Sequence, residues 1–216
     1  MGIDMHKICI SRCGGDETMP QEYSADHDIA DFIGRRWSPR AFAERPVERE
    51  KLLSLLEAAR WAPSAFNEQP WRFILATKDD RPDYDRMLSC LADSNQVWVR
   101  RAPVIAILVV KSRFDHNGKP NRWAQHDAGL ALENLMLQAF DSGLVTHPMA
   151  GFSHEKIREE YGVPEEFEPL VAIAVGYPGD PDALPPDLKE RELAPRERNK
   201  IATFAFSGRW GNAVPQ

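Results

Sequence analysis

Cysteine is scarce in this 216-residue chain, which has three: Cys9, Cys13 and Cys90. An odd, small number cannot build a disulfide framework and suits a reducing compartment. His6, Cys9 and Cys13 lack the second Cys pair or nearby His pair of a structural metal site, so no metal is expected there. Long apolar runs are also missing. The longest, 103–110, falls far short of the ~20 residues a membrane helix needs. Asp4, His6, Lys7 and Arg12 break the first apolar stretch, so no secretory leader is expected and the location is read as cytoplasmic. There is no surplus of positive charge. Lys+Arg 27 against Asp+Glu 33 gives −6, which argues against nucleic acid and anionic membranes as partners. No G-x-G-x-x-G follows a strand, and no P-loop, G-x-S-x-G elbow or H-E-x-x-H occurs.

What is present is an ordinary globular balance, 43% hydrophobic and 28% charged. Residues 1–25 show no period and read as an extension, ordered only where something docks it. The body, 26–216, reads as one domain. A short helix is expected at 28–35, capped by Asp28, with Ile29, Phe32 and Ile33 on one face. The clearest amphipathic helix is 47–61, with Leu52, Leu55, Leu56 and Ala59 as its stripe. Strands are expected at 71–76, 104–110 and 170–176, and helices at 83–91, 123–141 and 154–161. The 104–110 run is apolar at every position, the pattern of a strand covered on both faces. The 123–141 helix is apolar nearly all round and must be enclosed in a core or at a subunit contact, with Gly143 placed to end it. A Pro-rich exposed loop is expected at 181–195 and a short strand at 203–206. This interleaving without a βαβ cadence favours an α+β fold.

Three clusters could carry chemistry. Arg35-Arg36-Trp37-Ser38-Pro39-Arg40 gathers three guanidiniums and a hydroxyl, an anion cradle or a solvated basic patch. Pro63-Ser64-Ala65-Phe66-Asn67-Glu68-Gln69-Pro70-Trp71 offers small residues and hydrogen-bonding groups to a flat ligand, or is a plain connecting loop. Thr146-His147-Pro148-Met149-Ala150-Gly151-Phe152 leaves backbone N–H groups unobstructed, or is simply a turn. A metal-dependent hydrolase built on His126, Asp127, His147 and His154 is disfavoured, because adjacent helix positions face apart.

Taken together, these segments are more specific than any one of them. With the Gly208-Arg209-Trp210-Gly211 ending and the apolar helix leading into Gly143-Leu144, the chain over 25–216 resembles the nitroreductase family of FMN-dependent oxidoreductases. That resemblance implies a central mixed β-sheet flanked by helices, with the buried helix at the contact of a homodimer. It implies two composite FMN sites. Arg36, Trp37 and Ser38 would lie at the phosphate and ribityl chain, and Arg40 at the pyrimidine edge. Pro63, Ser64, Ala65 and Asn67 would come from the partner. Pro148, Met149, Ala150 and Gly151 would cover the ring, Arg209 would return to the phosphate, and Asn95 is a further flavin contact. The flavin carries the chemistry, so no catalytic side chain is assigned. Hydride would pass from NAD(P)H through flavin N5 to a nitroaromatic, quinone or similar acceptor in a ping-pong reaction. The alternative is a dimeric FMN- or ligand-binding protein of the same fold with little turnover. Trp37 and Ala150 depart from the residues many relatives carry, the latter where some have Glu.

Overall fold

The computed structural model describes residues 23–215; most of the expected extension, with Cys9 and Cys13, lies outside them. Four strands form one sheet in the order β1-β2-β4-β3: β1 (Trp71–Thr77), β2 (Val104–Lys111), β3 (Val145–Met149) and β4 (Phe167–Gly176). All three ladders are antiparallel, a simpler pairing than the mixed sheet expected. The α+β architecture, a sheet flanked by helices, is the one the chain adopts.

The unbroken apolar run of β2 follows from its place in the sheet. Ile105, Ile107 and Val109 enter one core, while Val104, Ala106, Leu108 and Val110 enter the other. Successive side chains point to opposite faces, so a strand covered on both sides has no position to spare for a polar residue. On one face lie α2 (Arg49–Arg60) and α5 (Ala124–Asp141). On the other lie α3 (Arg81–Ser89), α4 (Asp93–Val99) and α6 (His154–Tyr161), carrying Tyr84, Met87, Trp98 and Ile157 into the core. Ala124, Ala128, Ala131 and Ala139 make the inner stripe of α5, letting its backbone approach the sheet closely. Gly143 adopts φ +74 just beyond the helix and ends it as expected.

Several local expectations differ. α1 spans Asp31–Arg35 with Ala30 at its N-cap, so Asp28 caps nothing, and Phe32 and Ile33 stay about half exposed. α4 and β3 were not anticipated. β3 contains Pro148, which an edge strand paired on one side tolerates. Residues 181–195 are not a plain exposed loop: α7 spans Pro186–Leu193 and buries Glu192. Proline is compatible with a first helical turn, where the missing N–H is not needed. At 203–206, a 3-10 turn over Ile201–Thr203 and one bridge from Phe206 to Ala213 replace the expected strand.

Candidate functional site

Ser38 to Ala41 cross the end of the sheet beside β3 and α7. Glu192 accepts from the Arg40 N–H at 2.8 Å and from the Ala41 N–H at 2.9 Å. His147 Nδ1 meets the Pro39 carbonyl at 3.0 Å, and its ring lies 4.6 Å from that of Trp98. Burial, reinforced by the Arg40 charge, pushes His147 down to about 4 against the pull of the Pro39 carbonyl. His147 is therefore neutral near pH 7 and donates from Nδ1. Gly179 N–H to the Ala41 carbonyl and Ala43 N–H to the Tyr177 carbonyl complete the anchoring.

These anchors hold open a cavity of about 280 Å³. Arg36, Trp37, Ser38 and Arg40 line it, as do Arg191, from the expected exposed loop, and Arg196 and Arg198, which no sequence motif singles out. Arg196 donates from Nη1 to the Arg36 carbonyl and from Nη2 to the Gly34 carbonyl. Its Nε is buried without a hydrogen-bond partner among the described residues. Burial lowers the Arg196 pKa, and the like charges of Arg198 and Arg36 lower it further. Two carboxylates stand nearby: Glu133, 3.8 Å from Arg36, and Glu192, 4.0 Å from Arg40. A crowd of guanidiniums this incompletely compensated favours an anion.

The 63–70 loop is a second centre. Phe66, Asn67 and Gln69 all adopt positive φ, at 55°, 56° and 50°. Such a backbone costs of order 1–3 kcal/mol per non-glycine residue and persists only where its surroundings enforce it. Here Ser64 Oγ accepts from the Gln69 N–H at 3.0 Å, and Asp127 Oδ2 accepts from the Ala65 N–H at 2.9 Å. Asp127 is buried, and its other oxygen lies 2.9 Å from His126 Nδ1. His126 and Asp127 thus pair rather than face apart, since in the first turn of a helix neighbouring side chains can fold toward each other. His147 turns to Pro39 and His154 stacks on Phe152 at 4.5 Å, so the three histidines serve three separate contacts.

The remaining expected site residues are dispersed. Met149 packs into the core and Ala150 is exposed. Asn95 Nδ2 donates to the Gly151 carbonyl at 3.0 Å, joined there by the Ala92 N–H, which ties α4 to the 148–151 segment. Pro63 is exposed at the loop entry. Arg209 is exposed on the 206–213 turn and does not line the cavity.

Comparison with known proteins accords with this arrangement. The Nitroreductase family model matches residues 33–98 and 86–177. A NADH dehydrogenase of Thermus thermophilus is 30% identical over 177 residues, 68% of this chain and 84% of that protein. A solved structure described as an oxidoreductase containing FMN superposes with a TM-score of 0.84 at 37% identity, covering 88% of this chain and 96% of that one. A nitroreductase family protein from Clostridium difficile shares the fold, with a TM-score of 0.65 at 24% identity over 85% and 99% of the two chains. The family match begins inside α1 and runs through all four strands, spanning residues 36–40 and the strained loop: the chain belongs to the nitroreductase family.

Proposed function

We propose that this chain is an FMN-dependent NAD(P)H oxidoreductase that reduces a small nitroaromatic, quinone or similar acceptor, working as a homodimer. The observation that carries the reading is the arginine-lined cavity, with Arg196, whose Nε has no hydrogen-bond partner among the described residues, in its lining. A phosphate monoester fits it: about two negative charges and three acceptor oxygens answer guanidiniums that lack sufficient counter-charge. Arg36 and Ser38 hold the phosphate end, and Arg196 and Arg198 take the part expected of Arg209. Arg40, set further along the same segment, addresses the pyrimidine edge. When bound, FMN supplies reversible two-electron hydride chemistry, and the protein's share is binding, orientation and electrostatics. Donor and acceptor then occupy one place in turn.

Two observations support a dimer with shared sites. The cradle and the loop touch α5 at Glu133 and Asp127, six residues apart. Six residues are about 9 Å of rise and roughly 240° of net turn, so the two contacts face different sides of the helix. Phe32, Ile33, Phe66, Trp123, Phe204 and Trp210 are all exposed. Ser64, Ala65 and Asn67, on the strained loop, serve the partner's flavin, while Ala150 and Gly151 leave backbone groups accessible beside the ring. The test is the absorbance of the purified protein. A yellow sample bleached by NADH or NADPH and recoloured by a quinone is expected; a yellow sample inert to both nucleotides indicates a binding protein, and a colourless one that takes up no FMN refutes the reading.

A further inference from the structure

One peptide unit of the cradle is held at both ends by side chains from distant parts of the chain. The carbonyl of the Pro39–Arg40 peptide accepts from His147 Nδ1 at 3.0 Å. Its N–H donates to both carboxylate oxygens of Glu192, at 2.8 and 2.9 Å. The following N–H, of Ala41, reaches Glu192 Oε1 at 2.9 Å. Glu192 is 1% exposed, and its Oε2 stands 4.0 Å from Arg40 Nη1. This carboxylate therefore acts twice: it fixes the backbone from which the Arg40 side chain departs, and it offsets part of that side chain's charge. Away from water such an offset is felt more strongly than on an open surface.

We infer that Glu192 and His147 are positioning residues for Arg40, and that the Glu192 carboxylate sets how much positive charge Arg40 presents to a bound flavin. This rests on the reading of Arg40 as a flavin contact. An uncompensated guanidinium at the pyrimidine edge favours the reduced, negatively charged cofactor. Glu192 restrains that preference and so keeps the reduced cofactor a stronger donor to the acceptor. His147 is the uncharged half of the clamp and acts by geometry alone.

The test is the midpoint potential of the flavin-loaded protein, read by equilibration with a reference dye, with FMN affinity measured by fluorescence. Loss of a merely structural contact has no reason to move the potential in a set direction. Glu192→Gln keeps an oxygen for the Arg40 and Ala41 N–H groups but removes the charge. It is expected to shift the redox equilibrium about tenfold toward the reduced form, ~30 mV for a two-electron couple. Arg40→Gln is expected to shift it the other way. In the double variant the effect of Glu192→Gln disappears, because the group it acts through is gone. A folded Glu192→Gln variant with the parental potential, or a shift that persists in the Arg40→Gln background, overturns the inference and leaves Arg40 in its place. An Arg40→Gln variant with parental potential and affinity removes the flavin reading of Arg40, and the inference with it. If Glu192→Gln does not fold, His147 decides. His147→Asn retains a donor and is expected to hold FMN within about threefold of the parent, whereas His147→Leu weakens it about tenfold; equal affinities for these two variants overturn the clamp.

Discussion

Acid is expected to loosen the cradle through His147 before it acts on the carboxylates. The ring is buried against Trp98, faces the Arg40 charge and donates to the Pro39 carbonyl, and it is held at about 4 against an ordinary 6.5. Above pH 6.5 the imidazole is neutral in both folded and unfolded chains, and its contribution to stability is complete. Between 6.5 and about 4 the unfolded chain binds a proton that the folded chain refuses, so stability falls as pH falls. The span from 6.5 to about 4 corresponds to about 3 kcal/mol at 1.36 kcal/mol per pH unit. That is a substantial share of the ~5–15 kcal/mol that stabilises a typical domain. The assay is urea denaturation of the parent and of His147→Asn at intervals from pH 7 to pH 4. The parent's stability should decline by roughly that amount relative to the variant, which has nothing to titrate at this position. Glu48, held at about 2 chiefly by the Tyr177 hydroxyl, loses its contribution only as pH falls from the ordinary carboxylate range toward 2, and does so equally in both proteins. Parallel stability curves for the two chains would refute the argument.

Asp127→Ala leaves the Ala65 N–H without its acceptor and removes the main brace of a strained loop. It should cost about 1–3 kcal/mol by urea midpoint and make the 63–70 loop the first site of limited proteolysis. At Gly179 an added Cβ would stand 2.4 Å from the Phe42 carbonyl carbon. Gly179→Ala should therefore destabilise by about 1–3 kcal/mol and weaken FMN retention, since the displaced backbone also anchors Ala41. Arg36→Ala and Asn67→Ala each damage one half of a shared site. Mixing and re-annealing the two chains should restore one flavin per heterodimer by absorbance, and no recovery would contradict a site built from two subunits. Light scattering at low micromolar concentration should find a dimer in the parent.

Much of the fold was legible because its signals are local. The doubly covered β2 announces itself in seven consecutive apolar residues, and α5 in a long apolar stretch closed by a glycine with φ +74. Residues 36–40 and the 63–70 loop are legible as short motifs, each contained in one run of chain, whereas Arg191, Arg196 and Arg198 join the cradle only through the fold. The rest was set by tertiary contact. β3 carries too few residues and a proline, so its strand character comes from pairing with β4. α7 reads as loop in the sequence because prolines cluster there, although Pro185 and Pro186 sit where a helix begins. Its consequence for the site was invisible in sequence. Glu192 is separated from Arg40 by 152 positions, and His147 from Pro39 by 108. No local signal singles out Glu192: Asp187, Glu190 and Glu197 share its mixed-charge segment, and only the fold selects Glu192 for burial. Local pattern thus marks which residues could meet an anion, while long-range pairing decides whether they are held still enough, and neutralised far enough, to be selective about its charge state.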